Sequence, residues 1–418
     1  MTESEEFLNK HKKRTENFTR HRKLPFSAVL TLILRKSVKS LQLILNEWCR
    51  GLDKSISASA LSQARQKFSH TAFLELLERC VVQPMYGDGE YERYRGYRLL
   101  AIDGTTLRLP TNKVLIEEFG TTRYMNGRQK VACDNVESKA SVLYDVLNEI
   151  PLAGSLHRAR ANDIRAAKEH ISLVGKGDIV MADRGYCSYA FFANIQAQSG
   201  DFIVRLRDKT YQEFHSLFTD KTQKEAFIKV PCPDHFRSEP GIPSCLSLRL
   251  IRVELPDGEV EVLATSLLNK RKFPLKDFKK LYYQRWRIET YFQTIKSRLT
   301  LDNFTGRTVE AIKQDFFSTL FISGLETILT ADTNEELAQK ANLHEQKVNK
   351  AISFHAIKDQ ILLLMFDPPE DFEERVKKLF LINPTLQRPY REKNRERLSM
   401  KSNARSLHFQ KFARKFVF

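Results

Sequence analysis

Residues 177–186 read GDIVMADRGY. Four apolar residues in a row, Ile179 to Ala182, are closed off by Asp183, Arg184 and Gly185, which is the pattern of a short strand buried on both faces. The glycine lets the backbone turn sharply and leaves the Asp183 carboxylate at the edge of a sheet. Residues 97–104, YRLLAIDG, repeat the arrangement with Asp103 and Gly104. Outward from these, KASVLYDVL (139–147) and EIPLAGSLH (149–157) read as two further strands. DIRAAKEHISLV (163–174) sets Ile164, Ala167, Ile171 and Val174 at helical spacing behind Asn162 or Asp163 as caps. YAFFANIQA (189–197) reads as a helix and DFIVRLR (201–207) as a fifth strand. A three-strand meander followed by strands alternating with helices predicts an α/β chain built on a mixed central sheet.

The flanks have a different texture. Between about 208 and 270 the chain reads as short strands and loops, with CLSLRLIRVEL (245–255) and VEVLATSLL (260–268) joined by PDGE (256–259), a hairpin signal. This β-rich piece interrupts the α/β region. Residues 1–95 read as helical: LPFSAVLTLIL (24–34) as a core helix, and SISASALSQARQKF (55–68) as a helix with Ala58, Leu61, Ala64 and Phe68 on one stripe. Gln63, Arg65, Gln66 and Lys67 are expected to face away from that stripe. This basic face is either solvated or lies against nucleic acid, with Arg65 the residue to contact it. Residues 311–418 read as helices followed by a basic tail from Arg388 to Lys415.

With 68 Lys and Arg against 51 Asp and Glu, the net charge of +17 points to a polyanionic partner, above all a phosphate backbone. No run approaches the ~20 apolar residues of a spanning helix, so no membrane partner is expected. The 6 cysteines are scattered without a CxxC pair, which fits a reducing, cytoplasmic compartment.

Residues 282–299, YYQRWRIETYFQTIKSRL, carry a further acid. At about 100° per residue, Leu281, Ile288, Phe292, Ile295 and Leu299 share a core-facing stripe, with Tyr282, Arg285, Glu289 and Lys296 on a strip beside it. Taken alone, Arg285 and Glu289 are an ordinary i, i+4 pair. Asp103 and Asp183, taken singly, serve most often as caps or turn formers. Each, however, ends a predicted strand, where open α/β sheets place ligand-binding groups. Three acids held together persist ionised only with cations among them. Asp and Glu oxygens suit Mg²⁺ or Mn²⁺, and two such ions about 4 Å apart can drive in-line displacement at phosphorus. Arg285, Lys296 and Tyr282 would then hold the DNA phosphates.

Tyr282, Arg285, Glu289 and Lys296 form Y-x2-R-x3-E-x6-K, which resembles the YREK signature of the bacterial insertion-sequence family 4 of DDE transposases. AIDGTTLRLP (101–110) and VMADRGYCS (180–188) resemble that family's two Asp motifs, and SASALSQARQKF (57–68) a stretch of its amino-terminal DNA-binding part. The resemblance implies a ribonuclease-H-like core over residues 96–310 with a β-strand insertion, flanked by a helical DNA-binding region (1–95) and a helical C-terminal region (311–418). It implies that Asp103, Asp183 and Glu289 hold two Mg²⁺ ions, with Mn²⁺ as substitute, and that Tyr282, Arg285 and Lys296 contact terminal DNA. It also implies cut-and-paste transposition by a homodimer on double-stranded DNA, acting at terminal inverted repeats and joining them to a target. One departure concerns the Trp on which relatives stack a flipped base. The 2 Trp residues here are Trp48 and Trp286, neither in the insertion. Tyr211, Phe214, Phe218, Phe227 or Phe236 could present an aromatic face instead. Rival readings are a catalytically silent DNA-binding descendant and a nuclease that cuts without joining.

Overall fold

The computed structural model describes residues 4–20, 23–50, 55–125, 132–207, 215–237, 241–255, 258–340, 344–366 and 369–387. The chain divides into two compact units: one of residues 82–108 and 116–293, the other of residues 1–81, 109–115 and 294–418. The helices at the two ends, separate regions in the sequence reading, thus belong to one unit. No helix among the described residues is long and apolar enough to cross a membrane.

The unit of residues 82–108 and 116–293 is built on a sheet of nine strands among the described residues: β1 (Arg98–Arg108), β2 (Thr121–Met125), β3 (Ala132–Asp145), β4 (Ile150–Arg158), β5 (Asp178–Ala182), β6 (Asp201–Arg205), β7 (Glu225–Pro231), β8 (Cys245–Glu254) and β9 (Val260–Thr265). Its order is β2-β3-β1-β5-β6-β9-β8-β7, with β4 also on β3. β3 runs antiparallel to β1 and β4, whereas β1, β5 and β6 are parallel. This is the expected mixed central sheet.

Every residue of β5 is buried, as are Leu99 to Ile102 of β1. Their unbroken apolar runs are what a central strand covered on both faces requires. The helix Asp163–Ile171 starts at Asn162, whose side chain accepts from the Ile164 N–H, and Tyr189–Ala197 starts at Ser188, which accepts from Phe191 N–H. Ala167, Ile171, Phe191 and Phe192 share one core with Leu100, Val180 and Phe202.

The β-rich piece does more than interrupt the α/β region. Ile203 of β6 pairs with Thr265 of β9, so β9, β8 and β7 continue the same sheet. An open β6 edge would expose a row of unpaired backbone groups, and the insertion covers it. Pro256 and Asp257 of the expected hairpin turn lie outside the described residues, but the strands on either side pair as a hairpin would. The strand reading missed β2 and β7, both at ends of the sheet order, where half-exposed strands lack a continuous apolar run.

In the other unit the 24–34 stretch forms the expected core helix, Phe26–Leu34, with residues 28 to 34 all buried. A long helix, Val309–Gln339, is buried along much of its length, and the helices Phe26–Leu34 and Thr71–Leu77 pack against it. The predicted helix over 55–68 forms as Ala58–Arg65, capped by Ser57.

Candidate active site on two parallel strands

β1 and β5 pair in parallel with Leu100 opposite Val180 and Ala101 opposite Met181. Two residues beyond that last pair stand Asp103 and Asp183, in corresponding positions. Asp183 directly follows the last residue of β5, as expected, but Asp103 does not end its strand: pairing with β3 carries β1 on to Arg108, with Asp103 opposite Val142 and Gly104 opposite Ser141. Asp103 accepts the Gly104 N–H at 2.7 Å, and Asp183 accepts the Gly185 N–H at 2.7 Å. The turn after Asp183 needs its glycine: a Cβ at 185 would come within 2.9 Å of Asp183 Oδ1. The apolar run fixes where β5 ends and the turn holds the Asp183 carboxylate there, whereas Asp103 is held inside β1 by its pairing with β3.

The third acid arrives on the helix Trp286–Ser297. This helix does not run unbroken from Tyr282. A short helix, Phe278–Tyr283, ends first, and the N–H groups of Arg285, Arg287 and Ile288 bond three residues back. A single helical wheel through both segments is therefore only approximate. The predicted stripe nevertheless holds, with Leu281, Ile288, Phe292, Ile295 and Leu299 all buried. Arg287 donates to the Val146 carbonyl at 2.7 Å, and the Tyr291 ring stacks on Tyr144 with centroids 4.5 Å apart, which docks the helix beside β3.

Arg285, 5 % exposed, stands among the acids. It donates to Glu289 at 2.8 Å, and its other terminal nitrogen lies 3.7 Å from Asp103. Asp103 titrates at about 6, raised by burial and by the neighbouring Asp183 and Glu289, while the Gly104 N–H and Arg285 pull it down. Two buried polar atoms here have no partner: Arg285 Nε and the Tyr186 hydroxyl. Burial, then Asp103, Asp163 and Asp183, raise the Tyr186 phenol well above its ordinary value, so it is a donor.

The three oxygen-rich side chains fit a hard divalent cation in kind. Burial and two neighbouring carboxylates oppose the ionisation of Asp103, which an added positive charge would relieve, and the orphaned Tyr186 donor is free to meet an oxygen beside such an ion. In spacing they are not a ready ligand set. Among the described residues no three His, Cys, Asp or Glu side chains are grouped closely enough to hold an ion. A guanidinium lies between Asp103 and Glu289 instead.

The other predicted contact residues fare differently. Tyr282 is buried and donates its hydroxyl to the Ala182 carbonyl at 3.2 Å. It therefore anchors the end of β5 next to Asp183 instead of presenting a phenol to solvent. Lys296 lies in the other compact unit, half-buried, with burial lowering its pKa. Arg65 corrects the expectation of a solvated basic face. It is 3 % exposed, and donates to Gln314 Oε1 (3.0 Å), Thr305 Oγ1 (2.8 Å), the Ala311 carbonyl (3.1 Å) and Asp315 Oδ1 (2.9 Å). Its partners lie some 240 residues away in sequence, so no local pattern could reveal them. Of the aromatic residues considered for stacking, Tyr211 and Phe214 lie outside the described residues. Phe218 and Phe236 pack against the core, and Phe227 is 47 % exposed on β7. Sequence reasoning missed Tyr186 and Lys139 and treated Asp163 only as a cap.

A family model described as Transposase DDE domain matches residues 94–325, more than half of the chain. The chain is 26 % identical over 199 residues to y4zB of Sinorhizobium fredii (strain NBRC 101917 / NGR234), described provisionally as a transposase, a match covering 45 % of the chain and 52 % of that protein. It is 23 % identical over 277 residues to the transposase InsG for insertion sequence element IS4 of Escherichia coli K12, covering 65 % and 60 %. The matches thus span about half to three fifths of these relatives' lengths. A cryo-electron microscopy structure of a piggyBac transposase synaptic complex with hairpin DNA superposes with a TM-score of 0.43 at 11 % identity, over 89 % of the chain and 78 % of that one. DDE transposases as a family use divalent metal ions. The chain belongs to the transposase DDE domain family.

Proposed function

We propose that this chain is an active transposase that binds double-stranded DNA at the terminal inverted repeats of its own insertion sequence, cuts it there, and joins the freed ends to target DNA as a homodimer. The observation that supports the reading is a buried guanidinium, Arg285, lying against both Asp103 and Glu289, with Asp183 near enough to Asp103 to raise its pKa. Asp103, Asp183 and Glu289 would hold the Mg²⁺ ions, two per site, with Mn²⁺ as substitute. Bound divalent ions supply a means to activate water or a 3′-hydroxyl and to stabilise the leaving oxygen.

The chain's own residues have separate tasks. Tyr282 fixes the end of β5, and with it the Asp183 carboxylate. Arg285 balances Asp103 and Glu289 and, with a cation held by those acids, would be available to a DNA phosphate. Lys296 is a further phosphate contact. The charge of +17 supports a polyanionic partner.

The test is incubation of purified protein with Mg²⁺ and a labelled DNA end carrying the element's own terminal repeat. Cleavage followed by joining is expected. Cleavage without joining reduces the reading to a nuclease, and inactivity of the wild type removes it. Glu289→Gln is expected to abolish cutting and keep end binding; unchanged cutting would take Glu289 out of the site.

A further inference from the structure

A fourth carboxylate lies against the glycines that follow Asp103 and Asp183. Asp163 is the first residue of the helix Asp163–Ile171, which follows β4. Its Oδ1 is 3.4 Å from where a Cβ on Gly104 would sit, and its Oδ2 is 3.5 Å from where one on Gly185 would sit. That second point is also 2.9 Å from Asp183 Oδ1, so a single methyl group at 185 would touch both carboxylates. Asp163 therefore spans the glycine after Asp103, inside β1, and the glycine two residues after Asp183, just beyond β5.

Asp163 has a cation of its own. Lys139 of β3 donates to its Oδ1 at 2.7 Å, and the lysine stem passes within 3.8 Å of the Gly104 Cβ position. Neither side chain is needed to start the helix, since the Asn162 side chain already accepts the Ile164 N–H. The pair is only partly covered, with Asp163 38 % and Lys139 19 % exposed, so it is not a core ion pair. The second observation is the Tyr186 hydroxyl: 1 % exposed, without a partner, and within electrostatic reach of Asp103, Asp163 and Asp183. A buried phenol left without an acceptor costs about 1–3 kcal/mol, and here it lies among carboxylates.

We infer that Asp163 is a positioning residue of this site: held by Lys139, it acts together with the Tyr186 hydroxyl as an outer shell for a divalent cation bound by Asp103 and Asp183. This deepens the proposed function and rests on the metal reading of the three acids. Outer-shell carboxylates orient the ligands and bound waters of an ion without ligating it. Lys139 offsets part of the negative charge of Asp163, so it sets how strongly that carboxylate draws the ion.

The two partners should move metal affinity in opposite directions. The probe is Mn²⁺ alone, titrated into the full chain without DNA and followed through the electron paramagnetic resonance signal of free Mn²⁺. Asp163→Asn is expected to weaken Mn²⁺ binding on the order of 10- to 100-fold, Tyr186→Phe to weaken it several-fold, and Lys139→Met to tighten it several-fold. A role confined to stability predicts that Asp163→Asn and Lys139→Met weaken binding alike, and that result overturns the inference. Equal binding by wild type and Asp163→Asn overturns it while leaving the three-acid reading in place. Absence of Mn²⁺ binding by the wild type overturns both.

Discussion

Replacing Arg65 by Met separates a buried structural arginine from a DNA contact. The guanidinium makes four hydrogen bonds inside its unit, and its ion-pair partner Asp315 is fully buried. Met has similar length but no donors, so Asp315 loses its cation while retaining the Thr305 N–H and hydroxyl. Removing one partner of a buried pair costs about 3–5 kcal/mol, because the other charge stays desolvated and uncompensated. At about 2–4 °C per kcal/mol for a unit of about 200 residues, the melting of that unit should fall by roughly 6–20 °C. Calorimetry of wild type and Arg65→Met measures this. The companion measurement is DNA affinity against salt below the variant's melting point. Each lost phosphate contact lowers the log–log slope by about 0.9, and no change is expected here. A variant that melts like wild type but loses about one unit of slope would refute the burial argument and restore Arg65 to the DNA surface.

Other outcomes follow from particular contacts. Burial alone would raise the Glu310 pKa, yet the His70 ring and backbone N–H and then Lys13 hold it at about 2, against an ordinary 4.5. A depressed carboxylate contributes stability above pH 4.5 and loses it as pH falls towards 2. At about 1.4 kcal/mol per pH unit, reduced for a side chain one-fifth exposed, the loss should be about 2 kcal/mol. Glu310→Gln should be flat across that window, and parallel acid melting curves for the two proteins would exclude the assignment. Gly185→Ala should push the Asp183 carboxylate off its Gly185 N–H, lowering cleavage on the order of 100-fold with DNA binding retained; full cleavage would show that the turn tolerates a Cβ. Glu289→Gln should separate cutting from end binding in the labelled-DNA assay, and the opposed effects of Asp163→Asn and Lys139→Met on Mn²⁺ binding test the fourth acid.

Much of the α/β unit is legible in the sequence because its signals are local. Ile179 to Ala182 form an apolar run of strand length, and the Asp and Gly after it end that strand in a turn; the same signal at Asp103 and Gly104 does not, because pairing with β3 carries β1 on to Arg108. The spacing of Glu289 from Leu281, Ile288 and Phe292 likewise places it beside a buried stripe. What the sequence could not determine depends on partners far along the chain. Arg65 and Lys67 look alike as neighbours on a short helix, yet only Arg65 meets Asp315 and Gln314, some 250 positions on. Tyr282 reads as a surface phenol until the Ala182 carbonyl, 100 residues earlier, accepts its proton. Asp163 is a helix-start residue in one dimension. Its approach to Gly104 and Gly185 exists only because β3 brings β4 to one side of β1 while β5 pairs on the other. Periodicity and turn chemistry act over a few residues and so fix the elements. Which charges become buried, and against what, is settled when the sheet closes and desolvation makes each unpaired group costly.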